Sequence, residues 1–305
     1  MKKTITLFFG FWVFSAMAQS SIDLLTIGAF YSPPANYNEP WQGTAQESGT
    51  WVNLKVPIKL NDKIIWYNEF THMYFDVKSS IETNLTDTFL TSMRLAAAIL
   101  QTGVMYQLSK KNALQLLLVP RLNSDLLNAD NKRWQMGAMA LFETKVHSNL
   151  TMRYGLMYSG ELLGPLFVPL VYVDWQMSSR WRMTGTLPIS LRVAYHASER
   201  LSAGFHHFGL TTTYRIGQEE FRTDYVERNS IDESIYVRWR LGGNLHIEGR
   251  VGYSLGRNYT QYAEDEQMAA RIIIFKIGDN REPKNVTFAN GPIAAVRLVY
   301  NLPLD

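Results

Sequence analysis

Residues 235–255 read IYVRWRLGGNLHIEGRVGYSL, two alternating runs joined by Gly-Gly-Asn. In the first run Ile235, Val237, Trp239 and Leu241 share a face and leave Tyr236, Arg238 and Arg240 on the other. In the second, Leu245, Ile247, Val251, Tyr253 and Leu255 align against His246, Glu248 and Arg250. A period of two is the period of a β-strand, and a short Gly/Asn turn between two such runs makes a hairpin. The turn sets Leu241 opposite Leu245, so Arg238 faces Glu248 and Arg240 faces His246. Opposite charges across a ladder add ~0.2–1 kcal/mol. The same arginines turned toward lipid would each cost roughly 2–4 kcal/mol at mid-bilayer. For a barrel in a membrane the register is then decided, with charges inside and Val, Ile, Leu and Trp outside.

The same rhythm extends along the chain in both directions. Val52, Leu54, Val56, Ile58 and Leu60 alternate with Asn53, Lys55 and Lys59, and Asn61-Asp62-Lys63 turns into the run Ile64–Phe75. Further tight turns fall at Ser109–Asn112, His147–Asn149, Ser178–Arg180, Ala197–Arg200 and Gly242–Asn244. Between the hairpins lie longer, more polar connections at Asp76–Phe89, Asn123–Arg133, Gln218–Asp232 and Tyr259–Pro292. Short turns alternating with long loops are the pattern of an up-and-down barrel. The fold class predicted is therefore all-β, an antiparallel up-and-down transmembrane β-barrel. Six hairpins supply 12 strands, and runs near Ile22–Tyr31 and at Gly291–Leu302 would make 14. Proline cannot donate to a ladder, so Leu187-Pro188 is read as a tight reversal within Trp181–His196, with a bent single strand as the alternative. Thr86–Gly103 has helix propensity around Leu95–Leu100, with Thr86 or Asp87 as a cap, but is read as a strand leading into Val104–Leu108.

The first residues carry a destination. Lys2 and Lys3 precede the apolar run Ile5–Phe14, and Ala16 and Ala18 occupy small-residue cleavage positions, as in a secretory signal peptide. Residues 1–18 are thus read as a cleaved signal, 19–49 as an N-terminal segment with room for a first strand, and 50–305 as the barrel. Export combined with a barrel places the chain in the outer membrane of a Gram-negative cell. The chain has no cysteine, which excludes a disulfide-stapled fold, a lipid-anchored N-terminal Cys and thiolate metal sites. A net charge of +3 gives no concentrated basic face for nucleic acid. After Phe14 no apolar run is long enough for a membrane helix, but barrels evade hydropathy because their two faces alternate. Trp51, Trp66, Trp134, Trp175 and Trp181, near strand ends, are read as interfacial girdle residues.

Arg192, between Leu191 and Val193, and Arg153 follow the same inside-outside logic. The lumen-facing polar candidates are accordingly Arg153, Arg192, Arg238, Arg240, His246, Glu248 and Arg250. They are read as a polar plug of paired side chains filling a narrow barrel, in preference to a selectivity ring for an anionic solute. Six histidines are present, His72, His147, His196, His206, His207 and His246. His206 and His207 are neighbours on a strand and point to opposite faces. No G-x-S-x-G or H-E-x-x-H motif occurs, and Glu264, Asp265 and Glu266 lack the spacing and glycine of a calcium loop. No catalytic residue, metal or cofactor is therefore predicted. The function read is a non-enzymatic, porin-like barrel, a narrow channel or a structural surface protein, with outer-membrane lipid and a small solute as partners. The alternative is a lipid-modifying enzyme of phospholipase or acyltransferase type, using a hydroxyl nucleophile with His72, His196 or His206 at the rim.

Three segments add a resemblance. Val52–Leu60 (VNLKVPIKL), Pro120–Asp125 (PRLNSD) and Gly164–Pro169 (GPLFVP), with Asp174-Trp175, Trp181-Arg182 and Leu187-Pro188, resemble an uncharacterised family of outer-membrane β-barrel proteins defined as a domain of unknown function. The resemblance covers roughly Thr50 to the end and rests on turn and strand residues. It implies an outer-membrane barrel, and with it the barrel-assembly machinery as a partner during biogenesis, but no cargo or reaction. Such barrels commonly finish on an aromatic residue. Here Tyr300 is followed by Asn301–Asp305, so either Val299-Tyr300 ends the closing strand or the assembly signal is atypical.

Overall fold

The computed structural model describes residues 21–37, 42–81, 89–127, 133–285 and 289–303. The wall begins with β1 (Ser21–Asn36), β2 (Gly43–Lys55), its two-residue continuation β3 (Ile58–Lys59), β4 (Ile64–Ile81) and β5 (Met93–Gln107). It continues through β6 (Asn112–Ser124), β7 (Trp134–His147), β8 (Leu150–Glu161), β9 (Gly164–Gln176), β10 (Trp181–Leu187) and β11 (Ser190–His196). Then follow β12 (Leu201–Arg215), β13 (Asp224–Gly242) and β14 (Leu245–Ala263), a small hairpin of β15 (Ala270–Ile272) and β16 (Phe275–Ile277), and β17 (Gly291–Pro303). Successive wall strands pair antiparallel. Because β17 pairs with both β14 and β1, the sheet closes on itself as a barrel of 14 strands.

Exposure alternates along the wall as the sequence requires. Ile235 and Val237 are 65% and 53% exposed on the outer face, whereas Tyr236 between them is 2% exposed and turned inward. Arg238 registers with Glu248 and Arg240 with His246, as expected, but an irregularity at Leu241 sets Gly242 rather than Leu241 opposite Leu245. Four of the short turns share one device. Asn61 Oδ1 accepts hydrogen bonds from the amides of Lys63 and Ile64. Ser109, Ser178 and Ser198 do the same with their hydroxyls for the amides two and three residues on. Such side chains supply the acceptor that a tight turn lacks. At Gly242-Gly243-Asn244 the left-handed backbone (φ +50° at Gly243) takes that role, where a Cβ would be disfavoured.

Some expectations hold and others need adjustment. Among the described residues the first strand starts at Ser21, so residues 19–49 hold β1, for which the sequence leaves room, and the start of β2. The signal-peptide stretch 1–18, and Thr86 and Asp87, lie outside the described residues. From Met93 the Ala-rich stretch is strand β5, because pairing with β4 and β6 overrides weak helix propensity. Leu187-Pro188 forms the tight reversal, closed by the Ile189 amide on the Thr186 carbonyl at 2.8 Å. Val299-Tyr300 does not end the closing strand: β17 runs on to Pro303, with Leu302 opposite Ile22. Trp66, Trp134, Trp175 and Trp181 stand exposed on the outer face. Trp51 does not join them. It points inward against Gly28, where it fills space that no Cβ occupies.

The largest departure is at the long-loop rim. Gln218–Asp232 is not a plain connection, since β13 starts at Asp224 and pairs with β12 as far as Arg215. β11 accompanies β12 only to Phe208. Beyond that residue the β12–β13 hairpin crosses the lumen, and Arg215 meets Ser124 at the end of β6 on the opposite wall. Its apolar side chains Tyr214, Ile216, Phe221 and Val226 pack against Phe75, Val77, Leu95 and Ala97 of β4 and β5.

Candidate functional site

The lumen carries two layers of ionised side chains, placed there because inner-face residues have neither lipid nor bulk water to meet. Near the short-turn rim, Glu248 of β14 is gripped by Arg192 of β11 and by Arg297 of β17, the latter at 2.8 and 3.0 Å. Arg238 makes a two-pronged bond to Asp23 of β1 at 2.7 and 3.1 Å, and Asn301 donates to the same carboxylate. The ladder partners Arg238 and Glu248 are therefore not ion-paired with each other. Each reaches past its neighbour to a more distant strand, because the bore is narrow enough for arginine to span it and offers two-pronged geometry there.

The other candidates divide. Arg250 lies 3.3 Å from His206 Nδ1, with its guanidinium 5.0 Å from the Trp51 ring. Arg240 bonds the Gly243 carbonyl at 2.6 Å and His246 lies 3.2 Å from the Asn244 carbonyl, both at the turn. Arg153 stands apart on β8, paired with Glu143 at 2.6 Å and stacked on Tyr172. Thus Arg192, Arg238 and His246 line one vestibule, Glu248 is bonded to its Arg192, and Arg250 and Arg153 are not in its lining. A cavity of about 200 Å³ opens among Arg192, His196, Tyr236, Arg238, His246 and Asn301.

The second layer, at the long-loop rim, was not foreseen. Glu161 accepts from Arg121 (2.7 Å), Ser159 (2.7 Å) and both the amide and hydroxyl of Thr213 (2.9 and 2.7 Å). Asp125 Oδ2 accepts the amides of Gly217 and Gln218 at 2.9 and 3.2 Å. Glu47 on β2 receives Arg228 at 2.8 Å and the Tyr259 hydroxyl at 2.5 Å. Three carboxylates on the wall thus hold the crossing hairpin in the mouth. Arg297, flanked by Val296 and Leu298, had the same signal as Arg192 and was missed. Asp23 was hidden by a bulge at Leu24 that breaks the alternation.

Of the histidines, His206 is in the lumen and His207 outside, as adjacent strand positions demand. His207 has one ring nitrogen 2.6 Å from Glu233 and the other 3.0 Å from the Pro188 carbonyl, where a nucleophilic hydroxyl would have to sit.

An apolar outer wall around a charged, self-paired bore defines a transmembrane β-barrel of the outer-membrane type. Residues 14–300 match the model of the family described as Domain of unknown function (DUF6268), and the chain belongs to that family. No curated protein matches it. Among solved structures it is similar to the COG4313 outer membrane channel from Pseudomonas putida F1, with 11% identity, a TM-score of 0.44 and coverage of 94% of this chain and 97% of that one. It is also similar to the translocator domain of autotransporter NalP from Neisseria meningitidis, with 12% identity, a TM-score of 0.38 and coverage of 90% and 87%. These distant likenesses say nothing about cargo.

Proposed function

We propose that this protein is a non-enzymatic barrel of the Gram-negative outer membrane, exported by residues 1–18, that acts as a narrow channel closed at rest by its own hairpin. The observation behind this reading is the β12–β13 hairpin held across the lumen by Glu161, Asp125 and Glu47. A purely structural barrel has no need of a part spanning its mouth through polar bonds. Those polar contacts can be exchanged for water when the hairpin departs, while its apolar side chains Tyr214, Ile216, Phe221 and Val226 seat it against β4 and β5 at rest. The paired charges below leave a small vestibule suited to a small solute, and 14 strands enclose less than a sixteen-strand porin. Lipid chemistry is not part of the proposal.

Planar-bilayer recording tests it. The wild-type protein is expected to show small, infrequent steps. Glu161→Gln combined with Asp125→Asn is expected to enlarge them by freeing the hairpin. Large, steady open steps from the wild type would overturn the closed-channel reading.

A further inference from the structure

The wall is incomplete above the reversal between β10 and β11. β10 and β11 have 7 residues each, whereas a tilted membrane-crossing strand needs about 9–11. Their reversal at Pro188-Ile189 therefore stops short of the outer edge of the apolar band. Above it β9 pairs with β10 no further than Val171, which leaves residues 164–170 with an open edge. On the other side β12 has already parted from β11 and turned inward.

The small hairpin from the last long loop stands in this notch. β15 pairs parallel with β9, Arg271 beside Leu166 and Ile272 beside Phe167. The Met268 amide bonds the Leu163 carbonyl at 2.9 Å and the Ile273 amide bonds the Phe167 carbonyl at 3.2 Å. Ile272 and Phe275 oppose each other across the hairpin and continue the outer face of Phe167. Ile274 and Phe275 are 68% and 66% exposed, a poor arrangement in water but an ordinary one facing acyl chains. β16 has no ladder partner but β15 among the described residues, so the hairpin is laddered to the wall on its β9 side alone.

What lies behind the junction of β9 and β15 is apolar. Leu141, Leu166, Val168 and Leu170 cluster on the inner faces of β7 and β9, with Met139 and Met157 against them. Ile273 at the hairpin tip packs into that cluster from a left-handed backbone (φ +54°), a costly conformation for a β-branched residue. The hairpin is also latched on its far side. Glu227, fully buried on β13, binds Arg271 at 2.7 Å and Arg281 at 2.8 Å. A hairpin joined to the wall by a short ladder on one side only, the apolar cluster behind that ladder and a strained side chain occupying that cluster converge on one interpretation.

We propose that β15–β16 is a shutter in the barrel wall, and that its displacement from β9 opens a sideways route for small uncharged apolar molecules between the lumen and the outer leaflet. Ile273 holds their place when the shutter is closed. This rests on the channel reading above and specifies what that channel carries.

Because the chain has no cysteine, the shutter can be locked by one engineered disulfide. Phe167→Cys with Ile272→Cys joins register partners on adjacent strands, a spacing a disulfide can bridge. Uptake of radiolabelled naphthalene is measured in cells expressing wild type, the oxidised double variant, the same variant after reduction, and Glu227→Gln. Heat-modifiable gel mobility confirms that each is folded in the membrane. The expected result is wild-type uptake several-fold above cells lacking the protein, loss of that excess on oxidation, its return on reduction, and a further rise in Glu227→Gln. Uptake above background that ignores the lock overturns the shutter, and so does background uptake from every form. Ion conductance of the same samples separates the two readings: a channel that conducts but never carries naphthalene leaves the channel reading standing and ends this one. A protein that does neither ends both.

Discussion

A Cβ on Gly28 would lie 2.3 Å from the indole of Trp51, so glycine at that point lets a tryptophan lie inside the bore beneath Arg250. Gly28→Val is expected to push the ring away and to destabilise the barrel by about 1–3 kcal/mol, as overpacking does. Trp fluorescence and the temperature at which the folded gel band is lost would register it. Glu248 is the more sensitive position. Glu248→Gln leaves Arg192 and Arg297 buried without their counter-charge, and breaking a buried pair in this way costs roughly 3–5 kcal/mol. Arg240→Ala, at the exposed turn, is expected to change stability by no more than about 0.5 kcal/mol. Urea unfolding in lipid vesicles would separate the two variants. The inward direction of Arg192, Arg238 and Glu248 was legible because apolar neighbours flank each of them. Their partners were not legible, since a sequence orders strands along the wall but does not give distances across the bore. Trp51 was misplaced although the alternation carried the answer: with Val52 and Leu54 outward it falls beside Asn53 on the inner face, where Gly28 leaves room for the ring.

At the level of elements, the short turns were legible and the crossing hairpin was not. Turn chemistry is local, so Asn61, Ser109, Ser178 and Ser198 announce themselves. In Asp224–Asp232 polar residues occupy both faces, because one face meets Glu47 and the other meets Arg271 and Arg281. No alternation survives there to mark a strand. The loop that carries the shutter has its own electrostatic fastening. The hydrogen bond from Arg281, with the nearby Lys276, holds the Asp279 carboxyl down at about 2, from an ordinary value of 3.8. A lowered folded-state value means that the contribution is complete above about pH 4 and is lost as pH falls toward 2. Amide exchange in residues 276–283, corrected for its intrinsic pH dependence, is expected to rise over that interval while the β13–β14 ladder stays protected. Asp279→Asn is expected to abolish the step.

Over the whole molecule, strand number and closure follow from parity. Ser21 and Pro303 pair at the same rim as the short turns, which an up-and-down sheet permits only with an even count. An even count, 12 or 14, could be read from the spacing of turns, together with the outward face of nearly every wall strand. The mouth, the notch and the shutter could not, because they arise where strands leave the common cylinder and meet residues far away in the chain. All of them presuppose a cylinder immersed in lipid with an apolar outer face. Single cysteines carrying an environment-sensitive fluorophore, in vesicles containing brominated lipid, test that presupposition most directly. Labels at Leu118, Val237 and Val251 should be strongly quenched, and labels at Gln115, Thr184 and Ser202 should not. Equal quenching at both sets, or none at either, would contradict the account.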